Sequence, residues 1–90
     1  MRSQHIWTSQ DNDGRKREVR VTKFGGAWRF QAKYRDEEDW TYYDRPLIDD
    51  LRELRDVIFR KYQRRRASAE DYAAVDKMLR GEETMSERKY

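Results

Sequence analysis

The chain of 90 residues contains no cysteine, one proline and one histidine. Without cysteine it has no disulfides, no thiolate metal ligands and no thiol for catalysis, a composition that fits the cytoplasm. No segment approaches the ~18 consecutive apolar residues of a membrane span, and no apolar stretch follows Met1 to act as a signal peptide. We therefore expect a cytoplasmic protein that uses no membrane and holds no cofactor.

Charge dominates what is present. Charged residues make up 43% of the chain and hydrophobic residues 36%, against roughly 25% and 45–50% in an ordinary globular protein. An aromatic fraction of 13% nevertheless argues for a folded domain. The net charge of +3 hides segregated blocks, because residues 15–35 carry +7, residues 36–51 carry −6 and residues 52–66 carry +5. Local patches are expected to matter more than this total.

The clearest structural signal is Gly25-Gly26, which predicts a two-residue hairpin turn between strands at about 17–24 and 27–35. Glycine adopts the positive φ angles that the favoured hairpin turns require. Cross-strand partners share a face of the sheet, so this turn sorts the side chains onto an apolar face and a polar face. The expected pairs are Lys23–Trp28, Val21–Phe30 and Val19–Ala32 on the apolar face, and Thr22–Arg29, Arg20–Gln31 and Glu18–Lys33 on the polar face.

A third strand is predicted at residues 40–43, which are rich in β-forming side chains and follow the acidic loop 36–39. A loop of four residues would place Trp40 and Tyr42 on the polar face. A loop of five residues would turn both into the core and leave Tyr43 on the polar face. Either register puts an aromatic ring among cations.

A further strand is predicted near residues 4–9, before the turn signal at residues 11–14. A turn of two or of four residues there would place Ile6 and Thr8 on the apolar face. Trp7 would then lie on the polar face.

Two helices are predicted in the second half of the chain. Asp44 is expected to cap a long helix that has Pro46 in its first turn and an apolar stripe continuing to Tyr62. Ser68 begins a capping box for a short second helix, and Gly81 is expected to end that helix.

The order β-β-β-β-α-α predicts an α+β fold, with an antiparallel three- to four-stranded meander, a long helix packed on one face and a short second helix. We expect one small domain over residues 1–81 and a flexible polar tail over residues 82–90.

Catalytic and metal sites are poorly supported by the sequence. His5 is the only histidine, and no serine has a base adjacent to it in the sequence. Residues 11–14 resemble the start of a calcium loop, but Ser9 and Arg20 occupy the positions of its first and last ligands. The chain is therefore predicted to be non-enzymatic and to bind no metal.

The polar sheet face carries the strongest functional signal. Cations neutralise phosphates, and exposed aromatic rings stack on unpaired bases or cover sugars. Single-stranded DNA or RNA is therefore the favoured partner, with a basic helix end as an auxiliary grip on phosphate. The predicted nucleic-acid-binding residues are Trp7, Arg20, Arg29, Lys33, Arg35, Trp40, Tyr43, Arg64, Arg65 and Arg66, with Tyr42 joining Trp40 if the loop has four residues.

A protein-interaction or homodimerising module without a nucleic-acid ligand is the alternative function. In that case Tyr72, Val75 and Leu79 would form an exposed docking stripe on the second helix. The acidic block 36–51 would pair with a basic patch of another copy.

The predicted order of elements also resembles two kinds of DNA-binding protein. A meander followed by a helix is similar to the small coactivators that bind single-stranded DNA. The Gly25-Gly26 hairpin followed by a strand and a helix resembles the arm-binding domains of integrases. Both resemblances cover roughly residues 15–65 and rest on element order, so no residue role is transferred from them.

Overall fold

The computed structural model describes residues 2–87. Its elements are β1 (Arg2–Gln10), β2 (Lys16–Phe24), β3 (Ala27–Tyr34), β4 (Thr41–Tyr43), α1 (Ile48–Gln63) and α2 (Ala69–Glu87). The strands form one antiparallel sheet in the order β1-β2-β3-β4, which confirms the predicted α+β class. Contacts divide the chain into two compact units, a sheet unit (Met1–Pro46) and a helical unit (Leu47–Tyr90). Packing of α1 on the sheet, and a single domain over 1–81, stay predictions.

The hairpin between β2 and β3 has the predicted register. Gly25 and Gly26 form its turn with φ angles of 57° and 85°, a region that side chains disfavour. Val21 pairs with Phe30 and Arg20 pairs with Gln31, so the two faces of the ribbon are sorted as expected. Val21 and Phe30 are both buried.

The connection between β1 and β2 is a five-residue loop, residues 11–15, organised by one carboxylate. The Asp11 Oδ1 atom accepts hydrogen bonds from the N–H groups of Asp13 at 3.0 Å and Arg15 at 2.9 Å. The Asp11 N–H donates to the Arg15 carbonyl at 3.0 Å, which closes the loop. Gly14 adopts a φ of 82° within it.

Because this loop has an odd number of residues, the side chains of β1 lie on the opposite faces from those predicted. Trp7 pairs with Val19, while Ile6 pairs with Arg20 and Thr8 with Glu18. The predictions that Ile6 and Thr8 share the Val19 face, and that Trp7 lies on the polar face, are therefore wrong. Ile6 is 49% exposed.

Strand β4 resolves the two alternatives for the aromatic segment. Tyr42 pairs with Gln31 and Tyr43 pairs with Phe30, so Tyr42 lies on the polar face and Tyr43 on the apolar face. The connection between β3 and β4, residues 35–40, has two residues more than the four-residue alternative. Both lengths are even, so the side chains of β4 lie on the faces that this alternative predicted. The Glu37 carboxylate shapes this loop by accepting a hydrogen bond from the Tyr34 N–H at 2.8 Å.

These pairings define the two faces of the sheet used below. The apolar face carries His5, Trp7, Arg17, Val19, Val21, Lys23, Trp28, Phe30, Ala32 and Tyr43. The polar face carries Gln4, Ile6, Thr8, Glu18, Arg20, Thr22, Phe24, Arg29, Gln31, Lys33 and Tyr42.

The helical unit consists of α1 and α2 packed against each other. Arg52 pairs with Glu83 at 2.8 Å and Arg55 pairs with Asp76 at 3.0 Å. Arg55 follows Arg52 along α1, whereas its partner Asp76 precedes Glu83 along α2. The two helices therefore run antiparallel. The buried apolar residues of this unit are Leu51, Leu54, Ile58, Val75 and Leu79.

The helix ends match the predictions in part. The Ser68 Oγ atom accepts a hydrogen bond from the Asp71 N–H at 3.1 Å, so the predicted cap of α2 is confirmed. Asp44 does not cap α1, because that helix begins at Ile48 and its capping position, Leu47, makes no side-chain bond.

The second helix is longer than predicted. Gly81 lies inside α2, which has 19 residues against 16 in α1, so the predicted end at Gly81 is wrong. The ion pair between Arg52 and Glu83 lies beyond this glycine and ties that part of α2 to α1. Residues 82–87 of the predicted tail are thus helical, and residues 88–90 lie outside the described part. Over residues 2–87 neither helix combines the length and hydrophobicity needed to cross a membrane.

Candidate nucleic-acid interface

Two cations of the polar face converge on the indole of Trp40, immediately before β4. The guanidinium carbon of Arg20 lies 4.3 Å from the ring centroid, and the Lys33 Nζ atom lies 5.3 Å from it. Both distances fall within the ~6 Å at which a cation is attracted to an aromatic ring. Because an indole carries no net charge, this contact orients the two cations without neutralising them. Glu18, the cross-strand partner of Lys33, is the acidic side chain beside them.

Exposed aromatic rings and a third cation lie on the same face. Tyr42 is 62% exposed and pairs with Gln31 at the centre of the sheet. Phe24, at the end of β2, is 67% exposed. Arg29 is exposed on the neighbouring strand β3. The polar face therefore presents positive charge and planar apolar surface together.

Other cations of the sheet unit are held in different environments. The Arg15 guanidinium lies 3.9 Å from the centroid of the Tyr34 ring and pairs with Asp36 at 3.2 Å. Arg17 is buried on the apolar face, where its guanidinium lies 5.4 Å from the Tyr43 ring. Neither arginine adds charge to the polar face.

Two titratable groups at the loop 11–15 have shifted pKa values, Asp11 within the loop and Tyr34 at the end of β3. Desolvation raises the pKa of Asp11, but hydrogen bonds from the Tyr34 hydroxyl and from the N–H groups of Arg15 and Asp13 outweigh it, so the pKa lies below its ordinary value. The same hydrogen bond to Asp11, followed by desolvation, raises the pKa of Tyr34. These shifts accompany the closing of the loop and have no part in ligand chemistry on the polar face.

Four predicted site residues come together on or beside the polar face, namely Arg20, Arg29, Lys33 and Trp40. Trp7 and Tyr43 do not join them, because the observed registers place both on the apolar face. The predicted position of Trp7 is therefore wrong, as is the five-residue alternative that placed Tyr43 on the polar face. Arg35 follows β3 directly and is exposed, with its N–H donating to the Lys16 carbonyl at 3.4 Å.

The remaining predicted residues form a cationic turn in the helical unit. Arg64 is the C-terminal cap of α1, and Arg65 adopts a left-handed φ of 61°. The Arg66 N–H donates to the Lys61 carbonyl at 2.7 Å, and all three arginines are exposed. Burial, and then the charge of Arg66, lower the pKa of Lys61. Cations at this end of a helix are favoured by its dipole.

Gln31 and Phe24 lie on the polar face but were not among the predicted site residues. Gln31 is only 7% exposed although it lies on the polar face, and Phe24 is exposed at the hairpin end. The hairpin register already placed Gln31 opposite Arg20, and strand alternation from Arg20 would have placed Phe24 on the same face. What the sequence lacked was any sign that Gln31 would be buried.

Among the residues that the structure describes, no three histidine or acidic side chains are grouped so that they could hold a metal ion. Comparisons with family models, curated proteins and solved structures give no significant match to this chain. Its function is therefore argued from its own residues.

Proposed function

We propose that this chain is a small non-enzymatic module that binds single-stranded nucleic acid through the polar face of its sheet. The observation that carries the proposal is the convergence of Arg20 and Lys33 on Trp40, beside Arg29 and the exposed ring of Tyr42. Phosphates supply negative charge that balances these cations, and unpaired bases supply flat surfaces that stack on the exposed rings.

Single strands fit this face better than duplexes. Stacking requires bases that are free of their own partners, and the bases of a duplex present only their edges in the grooves. Tyr42 and Phe24 are each more than half exposed, so either ring has a free surface for a base.

The test is the salt dependence of binding, measured by fluorescence anisotropy with labelled single-stranded oligonucleotides of mixed sequence. If Arg20, Arg29 and Lys33 each neutralise one phosphate, the logarithm of the binding constant falls with log salt at a slope of about −2, since each phosphate adds about −0.7. Arg29→Ala removes one exposed cation and is expected to reduce the slope by about 0.7.

Arg15→Ala is the matched control, because it removes the same charge from the same unit at a residue held against Tyr34 and Asp36. It should leave the slope unchanged. Absence of salt-sensitive binding at low ionic strength would refute the proposal, as would equal losses in the two variants.

Arg35 and the turn from Arg64 to Arg66 are proposed as auxiliary phosphate contacts. Their support is exposure and charge, and each added contact would steepen the salt slope by a further ~0.7. The cytoplasmic location expected from the absence of cysteine also stays a prediction.

A further inference from the structure

The polar face contains a depression of about 510 Å³ within the sheet unit. Its lining includes Arg20, Thr22, Phe24, Arg29, Gln31 and Tyr42. Aromatic rings, positive charge and the carboxamides of Gln4 and Gln31 therefore surround one space. These groups together can recognise a ligand more selectively than a flat cationic surface can.

Gln31 lies in β3 between its two strand partners, Arg20 on β2 and Tyr42 on β4. It is 7% exposed and lines the depression. Its carboxamide is therefore held at one place among the groups that surround this space.

Arg20 adds an unsatisfied polar group at the same place. Its Nε atom is buried and has no acceptor in the described part of the chain, while its guanidinium is held against Trp40. One cation that lines the depression thus carries a buried polar atom without a partner among the described residues, whereas buried polar groups in folded proteins are nearly always satisfied.

We propose that the depression is a nucleobase subsite in which Gln31 hydrogen-bonds the edge of one base, Tyr42 stacks on its face and Arg29 takes the adjoining phosphate. This inference rests on the proposed function and adds base selectivity to it. A carboxamide offers a donor beside an acceptor, the pattern that matches N7 and the N6 amino group of adenine side by side. Adenine is therefore the base that the site prefers.

The experiment compares short labelled single strands of oligo(dA), oligo(dT) and oligo(dC) with an abasic strand of the same length. The protein as it exists should bind oligo(dA) about ten-fold more tightly than the other two, which is the usual scale for one bidentate contact to a base. The abasic strand keeps the phosphates but fills no subsite, so it should bind most weakly.

Gln31→Met tests the residue itself, because methionine keeps the length of the side chain and cannot make both hydrogen bonds. The preference for oligo(dA) should disappear while the salt slope stays unchanged, since the cations are intact. Circular dichroism verifies that this central-strand variant is folded. Tyr42→Ala is a second variant at an exposed position, and it should bring the affinity for oligo(dA) close to that for the abasic strand.

The failures of the two proposals are distinguishable. No salt-sensitive binding of any strand would overturn the proposed function and the subsite together. Salt-sensitive binding with equal affinities for the abasic strand and the three homopolymers would overturn the subsite alone. A preference for oligo(dA) that persists in folded Gln31→Met would also overturn it.

Discussion

The contact of Arg20 with Trp40 leads to a quantitative prediction about the stability of the sheet unit. A cation over an indole contributes about 0.5–1 kcal/mol at an exposed site and about 2 kcal/mol when it is desolvated. Arg20 is half-buried and lies 4.3 Å from the ring centroid, whereas the Lys33 Nζ atom lies 5.3 Å from it. We expect coupling free energies of about 1–1.5 kcal/mol for Arg20 and ~0.5 kcal/mol for Lys33.

The measurement is a pair of double-mutant cycles. Arg20→Met and Lys33→Met keep most of each apolar stem and remove the charge, and Trp40→Leu removes the ring. The free energy of unfolding comes from urea titration of each single and double variant. All three tryptophans, Trp7, Trp28 and Trp40, lie in the sheet unit, so the fluorescence of the first two still follows its unfolding after Trp40 is replaced.

The result that would refute this reasoning is a coupling for Arg20 that lies within the ~0.3–0.5 kcal/mol scatter of independent sites. A larger coupling for Lys33 than for Arg20 would also contradict it, because distance and desolvation both favour Arg20. Couplings in the expected order would mean that the indole holds the two cations in place before any ligand arrives. Preorganisation of this kind reduces the entropy that binding costs.

Three other perturbations have definite expected outcomes. Leu79→Ala, at a position 1% exposed, should lower the free energy of unfolding by about 2–5 kcal/mol in urea titration, and a loss near zero would contradict its place in the core. Gly14→Ala should destabilise the folded protein by about 1 kcal/mol because Gly14 has a φ of 82°. Gly81→Ala, in a helix with open space around it, should stabilise the folded protein by about 0.5–1 kcal/mol. Thermal melting distinguishes the two signs. The hydrogen bond from Arg55 lowers the pKa of Asp76 below its ordinary value of 3.8. The ionised Asp76 carboxylate therefore stabilises the fold fully above about pH 5, and this stabilisation is lost as the pH falls through the pKa of Asp76 in the folded protein. The difference in the free energy of unfolding between the parent and Asp76→Asn should therefore shrink in urea titrations below about pH 4.

The sequence predicted the hairpin of β2 and β3 well because two independent signals agreed. Gly25-Gly26 set the turn length, and the alternation of Val19 and Val21 with polar residues set the faces. A turn one residue longer or shorter would have placed Val21 opposite Arg29 or Gln31. The alternation of apolar and polar residues disfavours such pairs. Agreement of turn chemistry and alternation determined every partner in this pair of strands.

The sequence did not determine β1, since its alternation of small polar and large residues favours neither face strongly. Both turn lengths considered for residues 11–14 were even, and the observed loop takes in Arg15 to become five residues long. The deciding contact is the Asp11 carboxylate, which accepts the Arg15 N–H at 2.9 Å. Side-chain bonds to a loop backbone of this kind depend on geometry that residue types alone do not specify. Because the loop has five residues instead of four, Trp7 lies on the apolar face and outside the candidate site.

The polar face is better suited to a polyanion than to a second copy of the chain. A symmetric dimer through this face would bring Arg20, Arg29 and Lys33 against the same residues of the partner, and like charges across an interface are unfavourable. The acidic loop 36–39 is a poor alternative occupant, because Asp36 pairs with Arg15 at 3.2 Å and Glu37 accepts the Tyr34 N–H at 2.8 Å.

The helical stripe proposed for protein docking offers little surface either, since Val75 and Leu79 are buried and the Tyr72 ring contacts Phe59 at 5.6 Å. That prediction of an exposed stripe is wrong. A single strand of nucleic acid has the features that these candidates lack: negative charge at each phosphate, bases free to stack on Tyr42, and base edges that can hydrogen-bond Gln31. Charge, ring exposure and the polar lining of the depression thus all favour the same class of partner.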